Sequence, residues 1–173
     1  MKSESTASHR SEAEAGKPVR CAVLTVSDSR TEETDESGQL MCRLIEEAGH
    51  IVTTYALMKN DESAVRLRVT LYAAASDVQV VFITGGTGLG SRDRTVEAVR
   101  PLFEKELPGF GEIFRMLSFN EQVGTAAILS RAVAGSVNGK LVVSMPGSKA
   151  AVELALTRVL LPELRHAIRE LSR

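Results

Sequence analysis

Several features that would fix a function class at once are scarce or missing. The two cysteines, Cys21 and Cys42, form no C-x-x-C pair and match no zinc spacing. Each sits in an apolar pattern, where free cysteine acts as a small hydrophobe, so reduced structural thiols are expected. Charge of one sign is not in excess: 21 Lys and Arg face 22 Asp and Glu, interspersed, for a net charge of −1. No chain-wide field therefore draws nucleic acid or an anionic membrane surface, and any ligand must be gripped locally. No apolar run approaches the roughly 20 residues that span a bilayer. The opening MKSESTASHRSEAEAGKP lacks the apolar segment of a secretory signal, which makes the cytoplasm the expected compartment. Neither G-x-S-x-G nor H-E-x-x-H occurs, which removes α/β-hydrolase and zincin chemistry. His9, His50 and His166 are scattered and are given no catalytic part.

What is present fits one compact domain. A chain of 173 residues, 43% of them apolar, can bury a real core. Residues 1–17, rich in Ser, Glu, Ala and Lys without apolar periodicity, are expected to form a disordered tail, with a single domain over 18–173. From Pro18 strand-length apolar runs alternate with stretches of helical period. VRCAVLTVSD precedes a helix carrying Leu40, Met41, Leu44, Ile45 and Ala48, which Gly49 stops. IVTTYALM is a second strand, 61–75 a second helix and VQVVFIT a third strand, apolar on both faces. The pattern predicts a mostly parallel sheet between helical layers, with ligands at the carboxyl ends of its strands. Further on, a helix starts near Thr95, its N-cap, and is limited by Pro101. Asn138-Gly139 turns a short β-hairpin, and PGSK leads into a helix carrying Val152, Leu156, Val159 and Leu160.

Three strand-to-helix loops carry the chemistry. In TGGTGLGSRD, from Thr84 to Asp93, glycines follow a buried strand and precede a helix, where free backbone N–H groups can meet a phosphate. The loop is neither a Walker A motif, for Ser91-Arg92 replace Lys-Ser or Lys-Thr after Gly90, nor a dinucleotide G-x-G-x-x-G, for Ser91 stands where the last glycine would be. A tight turn without a ligand is the alternative. Asp93 could be a solvated carboxylate, a cap or a magnesium ligand working with substrate phosphates, and Arg92 and Arg94 could clamp phosphate oxygens. VSDSRTEETDESG places Ser27 and Asp28 at a strand end and Asp35, Ser37 and Gly38 at the next helix start, Asp35 reading as a cap. SMPGSK, with Pro146, Gly147, Ser148 and Lys149, repeats the arrangement. Three such loops on one edge would make a phosphorylated-ligand cleft.

ITGGTGLGSRDRTVEAV, LPGFGEIFRMLSF, TAAILSRAVAG and LVVSMPGSKAAVE, in that order, resemble the MoaB and MogA family of molybdenum cofactor biosynthesis, related to the G domains of gephyrin and its plant counterpart. The longer FGEIFRMLSF with EQVG is closer to MoaB. The resemblance covers 18–171. It implies a three-layer α/β/α molybdopterin-binding fold, assembled as a homotrimer or homohexamer, that transfers an adenylyl group from Mg-ATP to molybdopterin. Thr84, Gly85, Gly86, Thr87 and Gly88 fall where that family holds nucleotide, and Asp93 falls on its magnesium-binding carboxylate. Ser118 and Ser130, with Arg131 beside them, correspond to the pterin phosphate side. One departure stands out: Asn60 falls on a second family aspartate, which a shift of one residue would restore as Asp61, a catalytic and metal-ligand candidate. The resemblance also allows other proteins of the pathway as partners, and a molybdopterin carrier without turnover as the alternative function. The bare fold would also suit a flavodoxin-like binder of a flavin or sugar phosphate, which leaves LPGFGE and AILSRAVAG unexplained.

Overall fold

A computed structural model describes residues 16–173, so the expectation for the tail falls almost wholly outside the described residues. The alternation expected from Pro18 onward is present. Strand β1 (Arg20–Val26) leads to helix α1 (Glu36–Glu47), β2 (Ile51–Met58), α2 (Glu62–Ala74) and β3 (Val80–Thr84). Local chemistry sets these boundaries. Asp35 caps α1 by accepting from the Gly38 N–H, and Gly49, at φ 78°, takes the chain out of it. Asp61 caps α2 by accepting from the Ala64 N–H at 2.7 Å.

After β3 a glycine-rich loop precedes the short helix α3 (Thr95–Val99), which passes into a 3₁₀ turn, Arg100–Leu102, at Pro101. Thr95 is not the N-cap expected from the sequence. Arg94 occupies that position without a side-chain cap, and the first helical amide, that of Thr95, is satisfied by the carbonyl of Gly86. Next come β4 (Lys105–Glu106), α4 (Pro108–Ser118), a π-helical turn (Phe119–Val123) and a 3₁₀ segment (Gly124–Leu129). Strands β5 (Val133–Val137) and β6 (Lys140–Met145) form the expected hairpin. Asn138 and Gly139, at φ 50° and 69°, both take the left-handed conformation that a type I′ turn requires. Ser148 caps α5 (Lys149–Leu154), a wide turn and the Pro162 break follow, and α6 (Leu164–Leu171) closes the chain.

The six strands lie in the order β2-β1-β3-β6-β5-β4, parallel as far as β6 and antiparallel from β6 to the β4 edge. Side chains alternate across it. Cys21, Val23, Phe82 and Val143 pack with α1, α4, α5 and α6, while Ala22, Leu24, Val81 and Ile83 pack with α2 and α3. Both faces are covered, which is why the central strands read as unbroken apolar runs. Burial of a Phe or Leu side chain such as Phe82 or Leu24, both 0% exposed, contributes roughly 1.5–3 kcal/mol. Among the described residues no helix is long and apolar enough to cross a membrane.

Candidate functional site

The strand order creates the site. The chain leaves β1 for β2 on one side and returns to β3 on the other, so the loops after β1 and β3 diverge and leave a crevice at their carboxyl ends. Thr25 pairs with Thr84, and Thr84 with Met145, so β1, β3 and β6 end level. A cleft of about 700 Å³ opens there, lined by Ser27–Arg30, Asn60, Thr84–Gly88, Asp93 and Pro146–Ser148, with Phe114, Ser118, Val123, Ala126 and Ser130 as a more apolar wall.

Glycine is required in this loop by space and by conformation. Gly85 and Gly86 have φ 96° and 65°, in the left-handed region. A Cβ at Gly85 would collide with the carbonyl of Val26, and one at Gly86 with the side-chain oxygens of Thr95 and Asn60. The Gly85 N–H is committed to Met145 O at 3.0 Å. No described residue accepts from the N–H groups of Gly86, Thr87 or Gly88, which leaves three successive donors at the cleft. From behind the loop, Arg131 Nε donates to Thr87 O at 3.1 Å and its Nη2 to Asp93 O at 3.1 Å. Arg131 also pairs with Glu97 and, by hydrogen bonding to it, holds that carboxyl below its usual range. It braces the glycine loop and does not line the cleft.

Asp93 Oδ2 accepts from the Gly90 N–H at 3.2 Å, and a Cβ on Gly88 would come within 2.7 Å of the same oxygen. The carboxylate thus lies over the loop, within the cleft lining. The register at the start of α2 decides between the two neighbouring candidates. Asn60 lines the cleft with Oδ1 buried and unpartnered, whereas Asp61 turns back to cap α2 and is not among the lining residues. Among the described residues no group of three or more His, Cys, Asp or Glu side chains is placed to hold a metal. The Asp93 carboxylate with the orphaned amide oxygen of Asn60 across the loop fits a magnesium ion carried by substrate phosphates, not a resident ion in a protein cage.

The β1 loop is built around a buried carboxylate. Asp35, 0% exposed, accepts from Tyr55 Oη at 2.7 Å, the Gly38 N–H at 3.1 Å and Arg30 Nη1 at 3.2 Å. Burial alone would raise its pKa, yet the neighbouring Thr25 hydroxyl first, and then Tyr55, the Gly38 N–H and Arg30, prevail and hold it below the ordinary value. The Tyr55 hydroxyl is pushed far up, by burial and then by Asp35. Ser37 donates to Gly147 O at 2.7 Å, tying this loop to the β6 loop. Neither Ser37 nor Gly38 reaches the cleft lining, and a Cβ on Gly38 would strike Asp35.

Of the candidates read from the sequence, Ser27, Asp28, Asn60, Thr84 to Gly88, Asp93, Ser118, Ser130 and Pro146 to Ser148 share the cleft, while Asp61, Ser37, Gly38 and Arg131 support it from outside. Several are partly committed. Thr84 Oγ1 donates to Pro146 O at 3.0 Å, Asp28 Oδ1 accepts from the Asn60 N–H at 3.0 Å, and Ser148 caps α5. Arg30, Phe114 and Gln122 also line the cleft and were not singled out. Arg30 left a signal: it is the only cation in VSDSRTEETDESG, among acidic residues. The described histidines stay away from the cleft. His50 is buried and accepts from the Val19 N–H at 3.2 Å, and His166 lies beside Glu163 near the C-terminus. Burial pushes the Cys21 thiol to about 12, and burial with nearby carboxylates pushes Cys42 to about 11, so both are protonated.

Residues 22–166 match the family model described as "Probable molybdopterin binding domain". The chain is 52% identical over 158 residues to Molybdenum cofactor biosynthesis protein B of Halalkalibacterium halodurans, covering 91% of this chain and 93% of the relative. A crystal structure of a Molybdenum cofactor biosynthesis protein B superimposes with a TM-score of 0.89 at 51% identity, covering 92% of this chain and 99% of the other. The tungsten cofactor synthesizing protein MoaB of Pyrococcus furiosus superimposes with a TM-score of 0.81 at 36% identity, covering 92% and 100%. On its cleft, its topology and these similarities, the chain belongs to the MoaB/MogA family of molybdenum cofactor biosynthesis proteins.

Proposed function

We propose that the protein adenylylates molybdopterin, taking the adenylyl group from Mg-ATP and releasing pyrophosphate. The observation that carries the reading is the meeting of three βα loops in one cleft, with three unspent amides of the glycine loop beside the Asp93 carboxylate. A terminal phosphate oxygen of molybdopterin attacks the α-phosphorus of ATP. A P–O bond forms as the bond from that phosphorus to the pyrophosphate oxygen breaks, and the electron pair leaves with pyrophosphate. The N–H groups of Gly86, Thr87 and Gly88 hold the nucleotide phosphates, and Ser118 and Ser130 orient the pterin phosphate. Phe114, Val123 and Ala126 exclude water from the other wall. Magnesium, when bound with the triphosphate, offsets the charge gathering on the leaving group, and Asp93 with Asn60 Oδ1 would hold it. No covalent enzyme intermediate is needed.

The reading places the protein in the cytoplasm, as a homotrimer or homohexamer working with other proteins of the pathway. An apolar outer surface on α4 and the segment after it, with Met116, Phe119 and Ile128 54%, 51% and 79% exposed, suits such an assembly. The test is incubation of the purified protein with molybdopterin, ATP and magnesium. Adenylylated pterin and pyrophosphate are expected in equal amounts, and Asp93→Asn is expected to abolish both. One observation favours a second reading, a molybdopterin carrier without turnover: the cleft presents the amide of Asn60, while the Asp61 carboxylate is spent on a helix cap. Tight pterin binding with no pyrophosphate released would select the carrier.

A further inference from the structure

We infer that Arg30 is a two-pronged clamp for a phosphoryl group of the cleft's ligand, locked in its pose by the buried carboxylate of Asp35. The inference rests on the reading that the cleft takes phosphorylated ligands. Arg30 lines the cleft, and its side chain is 32% exposed. Nη1 donates to Asp35 Oδ1 at 3.2 Å and to Ser37 Oγ at 2.8 Å, and Nη2 donates to Gly147 O at 3.1 Å. Ser37 Oγ itself donates to Gly147 O at 2.7 Å, so these two acceptors lie together beyond the edge that joins the two terminal nitrogens, and Asp35 takes the other N–H of Nη1.

A guanidinium carries five N–H groups. With both on Nη1 and one on Nη2 committed, Nε–H and the second Nη2–H remain, on the other edge. Those two donors are parallel and match two oxygens of one phosphoryl group. The pose is fixed in advance. Asp35 is 0% exposed, and a buried carboxylate that lost its cation would be left poorly compensated, so Arg30 is held where it stands. A lysine cannot reproduce this, because one ammonium cannot meet Asp35, Ser37 and Gly147 and still present a fork.

The position suits a second phosphate subsite. Gly147 packs on Gly85, where an added Cβ would come within 3.2 Å of the Gly85 Cα. Arg30 and the open amides of Gly86, Thr87 and Gly88 therefore flank the Pro146–Ser148 loop on two sides of one cleft. Asp28 and Asp93 are the carboxylates of the cleft lining; Asp28 Oδ1 accepts from the Asn60 N–H and Asp93 Oδ2 from the Gly90 N–H, and neither pairs with Arg30. One ligand with separated phosphoryl groups, or two ligands end to end, would use both devices.

The test is calorimetric titration with inorganic pyrophosphate, with and without magnesium, of the wild type, Arg30→Lys, Arg30→Gln and the control Arg43→Gln, whose side chain is 66% exposed on α1. The wild type and the control are expected to bind alike, and both Arg30 variants to bind at least about 10-fold more weakly, up to about 100-fold. Near-ultraviolet circular dichroism checks that the variants fold. If they do not, Ser37→Ala decides, since it keeps the guanidinium and frees one of its anchors: a loss of about 3-fold or more supports the clamp, and unchanged affinity overturns it. A loss smaller than about 10-fold in a folded Arg30→Lys, or no binding of pyrophosphate by the wild type, also overturns it. Formation of adenylylated pterin judges the proposed function separately. Pyrophosphate held through Arg30 without any adenylylated product would leave the clamp standing and remove the transferase.

Discussion

Asp35→Asn isolates the buried charge on which the β1 side of the cleft is built. The carboxylate accepts three hydrogen bonds, from Tyr55 Oη, the Gly38 N–H and Arg30 Nη1, and is 0% exposed. Asparagine keeps the carbonyl oxygen that faces Gly38 and Arg30 but turns the other acceptor into a donor against the Tyr55 hydroxyl. Hydrogen bonds to a charged group contribute about 1 kcal/mol more than neutral ones. Two bonds weakened and one reversed, with the Arg30 share trimmed by solvent screening, make a loss of about 2–3 kcal/mol. For a domain of this size that is a fall of roughly 5–10 °C in melting temperature. The pH dependence has a definite sign. Because the folded pKa of Asp35 lies below its ordinary 3.8, its stabilisation is complete above that value and disappears as pH falls through the folded one. Thermal denaturation of the wild type and variant from about pH 7 to about pH 3 should therefore show a gap that is widest near neutrality and narrows below about pH 4. A neutral-pH gap under about 0.5 kcal/mol, or one that stays constant on acidification, would refute the reasoning.

Gly86→Ala forces a side chain into the left-handed region at φ 65° and against Thr95 and Asn60. It should cost more than the roughly 1–2 kcal/mol of backbone strain alone and weaken ATP binding at least about 10-fold by calorimetry. Arg131→Gln removes the brace behind Thr87 and Asp93 while leaving the cleft lining intact, so ATP affinity should fall several-fold with a melting-temperature loss of a few degrees. Asn60→Asp adds a carboxylate to the cleft beside those of Asp28 and Asp93, and the adenylylation rate, measured against magnesium concentration, should reach half its maximum at lower magnesium than in the wild type.

Much of this was legible because local chemistry and global topology agree. The cap at Asp35, the stop at Gly49 and the Asn138-Gly139 turn are each fixed by neighbours a few residues away. The convergence of the loops followed from strand-helix alternation, since parallel strands bring their carboxyl ends to one edge. What was hidden depends on contacts distant in sequence. Which of Asn60 and Asp61 faces the cleft turns on one residue of register at a helix start. Arg131 reaches Thr87 from 44 positions away, and Arg30 meets Gly147 across 117, separations that no local pattern encodes. Thr95 resembles a cap by type, but the glycine loop had already satisfied its amide.

The most direct measurement is a crystal structure of the protein grown with ATP and magnesium. The account predicts triphosphate oxygens within hydrogen-bond reach of the Gly86, Thr87 and Gly88 amides, with the metal beside Asp93. Nucleotide bound elsewhere, with that loop unliganded, would contradict it.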